Sequence, residues 1–199
     1  MGVSSNFGNM FSVAGASLFL PFLPMLPIQI LLNNLLYDIS ETTIPTDNVD
    51  HEYIERPRRW NLSFVRKFMI LFGPISSIFD FLTFFIMLYV FNATESLFQT
   101  AWFLESLATQ TLVIFAIRTR RAPFYKSRPL LFSSLAILGI ALIMPFTPLG
   151  APFGFVRPPL EFFAVLAGLV TVYLILVETA KKLFYRAPKQ ELKALRTPP

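Results

Sequence analysis

The chain has 199 residues, of which 54% are hydrophobic and only 15% charged, with 23 Phe and a mean hydropathy of +0.58. Soluble domains carry about 25% charged residues, so this is the composition of a membrane protein. Cysteine is absent and the single His51 stands in a charged stretch without a second His, which excludes disulfides, thiolate metal sites and cysteine catalysis, and neither zinc nor haem is expected.

The apolar residues fall into blocks suited to spans of about 20 residues. No Lys or Arg precedes the first block, so the N-terminus does not read as a signal peptide; the chain is expected to start already inside a span. A first span is predicted over 4–23 and a second over 27–38. Pro21, Pro24 and Pro27 lie between or at their ends, remove backbone donors and bar a single continuous helix. Carbonyls freed there are candidate ligands, because irregular backbone at membrane depth is tolerated where it lines a cavity.

This first region also holds the polar residues that hydrocarbon tolerates least. Asn6 and Asn9 are spaced i, i+3, and Asn34 and Asp38 i, i+4, so each pair shares one helical face. A carboxylate and three carboxamides are hard oxygen ligands, and an intramembrane acid is costly unless it serves function. Asp38, Asn9, Asn6 and Asn34 are therefore the candidate cation ligands. The competing reading is that these amides hydrogen-bond neighbouring helices.

Residues 39–62 read as a polar loop, with Asp47, Asp50, Glu52 and Glu55 ahead of Arg56, Arg58 and Arg59. A third span over 65–91 contains Gly73-Pro74, where a kink is expected, and the inward-facing Asp80. After a short cation-free connection, a fourth span over 97–117 carries Glu105 and Gln110. The sequon at Asn92 is too short a pattern to carry function. A basic loop, a fifth span over 130–146, a Pro- and Gly-rich turn and a sixth span over 160–177 follow, and the residues from 184 onward are basic. Gln110, Asp80 and Glu105 are secondary candidates whose ordinary role is interhelical hydrogen bonding.

Sixteen of the 17 basic residues flank the same ends of these spans, and only Arg157 lies opposite. By the positive-inside rule both termini are cytoplasmic and there are six spans. The net charge of +5 is thus a topology signal, and nucleic acid is not an expected partner. The expected architecture is all-α and polytopic, with six transmembrane helices and a proline-unwound ion-binding helix. It divides into an ion-site helix pair at 1–38, a cytoplasmic loop at 39–62, a four-helix support bundle at 63–185 and a cytoplasmic tail at 186–199.

The run SSNFGNMFSVAGASLFLPFLPMLPIQILLNNLLYDIS from Ser4, the loop IPTDNVD and the segment FGPISSIFDFLTF resemble the fifth to seventh transmembrane segments of bacterial magnesium-transporting P-type ATPases. FQTAWF, TQTLVIFAIRTRRAPF and the final span extend the resemblance over essentially the whole chain, as far as the tenth segment. It implies a transport site for one divalent ion in a bacterial inner membrane, with Mg²⁺ imported. In the calcium pumps of the same superfamily, the corresponding frame places an Asn and a Glu on the fifth segment and an Asn, a Thr and an Asp on the sixth. Asn6, Asn34 and Asp38 match; Asn9 replaces the Glu and Tyr37 the Thr. The site therefore has fewer charges, which suits Mg²⁺ with its octahedral oxygen coordination and retained waters. Tyr37 is expected to pack and not to ligate.

The DKTGT, TGE and nucleotide-domain motifs of such pumps do not occur in these 199 residues, nor does a GxxxxGK[ST] loop. ATP is expected to act only through those missing domains, and no ATP hydrolysis is expected of this chain alone. The expected partners are the lipid bilayer and the N-terminal half of a P-type ATPase supplied in trans. Two alternatives are a stand-alone membrane protein that binds a cation or a partner pump without hydrolysis, and a passive channel. The channel ranks last, because no repeated ring of carbonyls or carboxylates is present.

Overall fold

The computed structural model describes residues 2–44, 62–117 and 128–194. The charged loop residues 45–61, including His51, the basic residues 118–127 and the last residues 195–199 lie outside them. The described residues contain six α-helices and no strand: α1 (Gly2–Ala16), α2 (Pro27–Glu41), α3 (Leu62–Phe85), α4 (Glu95–Ile117), α5 (Arg128–Ile143) and α6 (Leu160–Ala194). Among the described residues three helical stretches are long and apolar enough to cross a membrane, Met69–Val90, Pro129–Phe146 and Leu160–Lys181.

The prolines break the first apolar block where expected. Helix α1 ends at Ala16, residues 17–26 turn, and α2 starts at Pro27, where the missing N–H would have been unsatisfied in any case. The interruption lies between two helices, and α2 is continuous from Pro27 to Glu41. The freed backbone is tied to other elements. Gln99 Nε2 donates to the Leu23 carbonyl at 2.8 Å, Gln29 Oε1 accepts from the Leu26 N–H at 3.1 Å, and Gln29 Nε2 donates to the Phe153 carbonyl at 2.8 Å. The Leu23 carbonyl, one of those in the proline-broken stretch, thus already accepts one hydrogen bond.

Helix α4 forms the middle of the bundle and packs on α2, α3, α5 and α6. Every residue from Phe98 to Thr111 is buried. A helix enclosed by other helices need not be apolar all round, and α4 accordingly carries Gln99, Thr100, Glu105, Ser106, Thr109, Gln110 and Thr111 in the core. Trp102, Phe98 and Phe84 interlock beside them, with ring centroids 4.9–5.1 Å apart. Helices α5 and α6 instead turn large apolar side chains outward, among them Phe132, Ile140, Val172 and Ile175.

Helix α1 lies closely along α3 through small residues. A Cβ on Gly8 would come within 3.2 Å of the Gly73 carbonyl oxygen, and one on Gly73 within 2.7 Å of the Phe7 ring. Ser77 Oγ donates to the Gly8 carbonyl at 3.0 Å and to the Gly73 carbonyl at 3.2 Å. Glycine allows the backbones to approach, and the serine satisfies the carbonyls exposed by that approach. Helix α3 continues through Pro74 and ends in a π-helical turn at Ile86–Val90. Asn92 follows with φ +46°, a left-handed conformation that Asn tolerates better than most residues. Helix α6 runs on to Ala194, into the stretch predicted as a tail from residue 186.

Candidate cation site

Between α1 and α2 lies a cavity of about 480 Å³, lined by Asn6, Asn9, Met10, Val13 and Ala14 from α1, Ile30, Asn33 and Asn34 from α2, and by Met25 and Trp102. Each lining position follows from helical periodicity. Asn6, Asn9, Met10 and Val13 recur at i, i+3, i+4 and i+7, and Ile30, Asn33 and Asn34 at i, i+3 and i+4, which puts each set on one face. The short loop, held by Gln99 and Gln29, closes the connected ends of the two helices and contributes Met25.

Of the four residues expected to ligate a cation, three meet in this cavity. Asn9 is half-buried, and its Oδ1 accepts from Ser106 Oγ at 3.3 Å; Ser106 Oγ in turn accepts from Gln110 Nε2 at 2.6 Å. Gln110 therefore reaches Asn9 through one hydroxyl. Asn6 is exposed and Asn34 half-buried, both on the lining. Asp38 continues the Asn34 face of α2 one turn further along; it is exposed and stands outside the lining. Tyr37 is buried, and its hydroxyl donates to Glu41 Oε1 at 2.7 Å, which engages it in packing and a local hydrogen bond.

Sequence reasoning missed Asn33. It is 2% exposed, lines the cavity, and neither its Oδ1 nor its Nδ2 has a partner. A buried amide left unpaired costs about 1–3 kcal/mol, a penalty that leucine at the same place would avoid. The available signal was the doubled Asn33-Asn34 in an apolar run.

Asp80 and Glu105 lie deeper. Asp80 Oδ2 accepts from Ser12 Oγ at 2.5 Å and Oδ1 from Trp102 Nε1 at 2.8 Å, so α1, α3 and α4 meet at one carboxyl. Both acids are 1% exposed, and neither lines the cavity. Among the described residues no group of three or more His, Cys, Asp or Glu gathers as a metal centre.

Residues 22–183 match the family model for the C-terminus of cation transporting ATPases. The chain is 48% identical over 193 residues to a "Magnesium-transporting ATPase, P-type 1" of Salmonella typhimurium strain LT2, covering 94% of this chain and 21% of the relative. It is 47% identical to the protein of that name from Escherichia coli K12, covering 94% and 22%. A second protein of that name from Salmonella typhimurium LT2 is 44% identical with 94% and 21% covered. The chain spans about a fifth of the length of these relatives. A family match over most of the chain, joined to described residues that form a helical bundle with helices apolar enough to span a membrane, decides the assignment: the chain belongs to the family of cation-transporting ATPase C-terminal regions.

Proposed function

We propose that these residues are the transport-site and support helices of a magnesium-importing P-type ATPase, carrying the cation-binding site while phosphorylation and nucleotide binding reside in other domains. The observation that carries this reading is the convergence of Asn6, Asn9, Asn33 and Asn34 on one cavity between α1 and α2, with Asn33 buried and unpartnered. Carboxamide oxygens suit a hard cation, and Mg²⁺ keeps several waters and needs few protein ligands. The names of the relatives favour Mg²⁺ as cargo. Asp38, one turn from Asn34 on the same face, is the charged ligand in this reading. It draws the divalent ion toward the amides from a position open to the remaining helices of the pump.

The reading includes six spans with both termini cytoplasmic in a bacterial inner membrane, and a complementary N-terminal half that supplies ATP hydrolysis. Helices α1 and α2, at 15 residues each, are about 22 Å long. They serve as the two short arms of the site, and α3 to α6 as its support.

The test is Mg²⁺ uptake by an intact pump containing these segments. Asp38→Asn is expected to abolish transport, since it keeps the shape and removes the charge. Asn9→Ala is expected to weaken it less, because water replaces a neutral oxygen. Normal transport by Asp38→Asn, together with loss in a stably folded Asp80→Asn variant, would move the site to α3 and overturn the assignment.

A further inference from the structure

We infer that Gln29 is a positioning residue of the cation site: its amide fastens the start of α2 to the connection between α5 and α6, and so sets where Asn33 and Asn34 stand on the cavity wall. The inference rests on the cation-site reading above. It adds to that site a residue and a segment, 148–156, that do not line the cavity.

The two walls of the cavity belong to different parts of the bundle. Helix α1 packs on α3, whereas α2 packs on α4 and α5, so the height of α2 beside the cavity is fixed from the α4 side. Apolar burial of Leu32 and Leu36 is non-directional and holds a helix against its neighbours without setting its height. Hydrogen bonds, with their narrow range of distance and angle, do set it. Gln29 is fully buried and uses both ends of its amide. Its Oε1 accepts from the Leu26 N–H at 3.1 Å, where α2 begins, and its Nε2 donates to the Phe153 carbonyl at 2.8 Å. Asn33 follows one turn later on the same face, about 6 Å along the axis.

The carbonyl that Gln29 grips is itself held to α4. Residues 148–153 form a tight turn that Gly154 ends at φ +71°, and the Phe155 N–H returns to the Gly150 carbonyl at 3.2 Å. The Val156 N–H then donates to Thr100 Oγ1 at 3.1 Å, and the Phe155 ring lies 4.6 Å from that of Phe103 between centroids. Thr100 and Phe103 flank Trp102, the α4 residue in the cavity wall. The chain of contacts from Gln29 through residues 153–156 to Thr100 therefore ties the α2 wall to the helix that supplies Trp102. Gly154 leaves the room for it: a Cβ there would come within 3.2 Å of Leu26 Cδ1 and 4.0 Å of Gln29 Nε2.

The experiment is Mg²⁺ uptake against Mg²⁺ concentration by an intact pump containing these segments, with Gln29→Met, which keeps the length and loses both hydrogen bonds. The expected result is a half-saturating concentration raised on the order of tenfold, the lower end of the cost of losing a partner that orients a metal ligand. The maximal rate per folded pump should stay within about twofold, because the ligands are displaced and not removed. A folded Gln29→Met pump with the wild-type half-saturating concentration overturns the inference, and so does one in which only the maximal rate falls. Thr100→Val decides the matter if Gln29→Met does not fold: it should raise the half-saturating concentration by a smaller factor, and Thr100→Ser, which keeps the hydroxyl, should restore it. An unchanged value in Thr100→Val, or a raised one that Thr100→Ser fails to restore, overturns the inference. Asp38→Asn separates the two readings. Normal uptake by that variant overturns the cation site and this inference with it, whereas loss of uptake in Asp38→Asn beside a wild-type response in Gln29→Met overturns this inference alone.

Discussion

Trp102 Nε1 donates to Asp80 Oδ1 at 2.8 Å, while the same side chain forms part of the wall of the cavity lined by Asn6, Asn9, Asn33 and Asn34. One residue of α4 thus orders the acid at the α1–α3 junction and shapes the candidate ion site. The link is built from a buried donor and a buried acceptor, so removing either leaves the other unpaired.

Trp102→Phe is therefore expected to destabilise the chain by about 1–3 kcal/mol, the cost of leaving a buried polar group unpaired. The edge-on contact with Phe84, at 4.9 Å between centroids, is largely available to phenylalanine, so the loss reports mainly the N–H. Unfolding in detergent measures it, and a variant as stable as the wild type would show that Ser12 alone satisfies Asp80.

Asn33→Leu separates stability from function. The amide has no partner in the fold, so leucine of similar size is expected to leave stability unchanged or raise it by about 1 kcal/mol. In an intact pump the same change should lower Mg²⁺ uptake several-fold. A stability loss without a transport defect would assign Asn33 to packing.

The α1–α3 contact is sensitive to size. At Gly73 a Cβ would meet the Phe7 ring at 2.7 Å, with the Gly8 backbone nitrogen 3.8 Å away. Gly73→Val is expected to cost about 1–3 kcal/mol through overpacking and to displace α1, carrying Asn6 and Asn9 with it. Gly139, where a Cβ has nothing within 4 Å, is the comparison: Gly139→Ala should be neutral or stabilising.

The orientation is testable because the chain contains no cysteine. Single cysteines at Thr94 and Leu149, both exposed in connections between helices, are expected to react with an impermeant reagent only from outside the cell. Gly150 is unsuitable for this purpose, since a Cβ there would lie 2.5 Å from the Met144 carbonyl oxygen. Labelling of either position from the cytoplasmic side would reverse the topology.

Helix boundaries were legible in the amino-acid sequence wherever a local rule governed them. Proline at 27 started α2, and the apolar blocks marked α3, α5 and α6, because hydrocarbon demands length and apolarity from any helix that faces it. Two other signals were present without being decisive. Gly8-xxx-Ser12-xxx-Ala16 and Gly73-xxx-Ser77 are spaced for close helix contact, but a small-residue pattern does not name its partner helix. The extent of α6 past residue 186 was also hidden, since basic residues with a proline read equally as tail or helix.

Residue types and i, i+3 or i, i+4 spacing by themselves determined that Asn6 shares a face with Asn9 and Asn34 with Asp38, because helical periodicity is a local property. Only the tertiary structure decided that the first three and Asn33 border one cavity while Asp38 stands outside its lining. It likewise decided that Asp80 meets Ser12 and Trp102 in the core. Both outcomes depend on how far each helix is rotated and shifted against its neighbours. That is set by contacts between residues as far apart as Gly8 and Gly73, or Gln99 and Leu23, and no periodicity within one helix encodes the rotation of another.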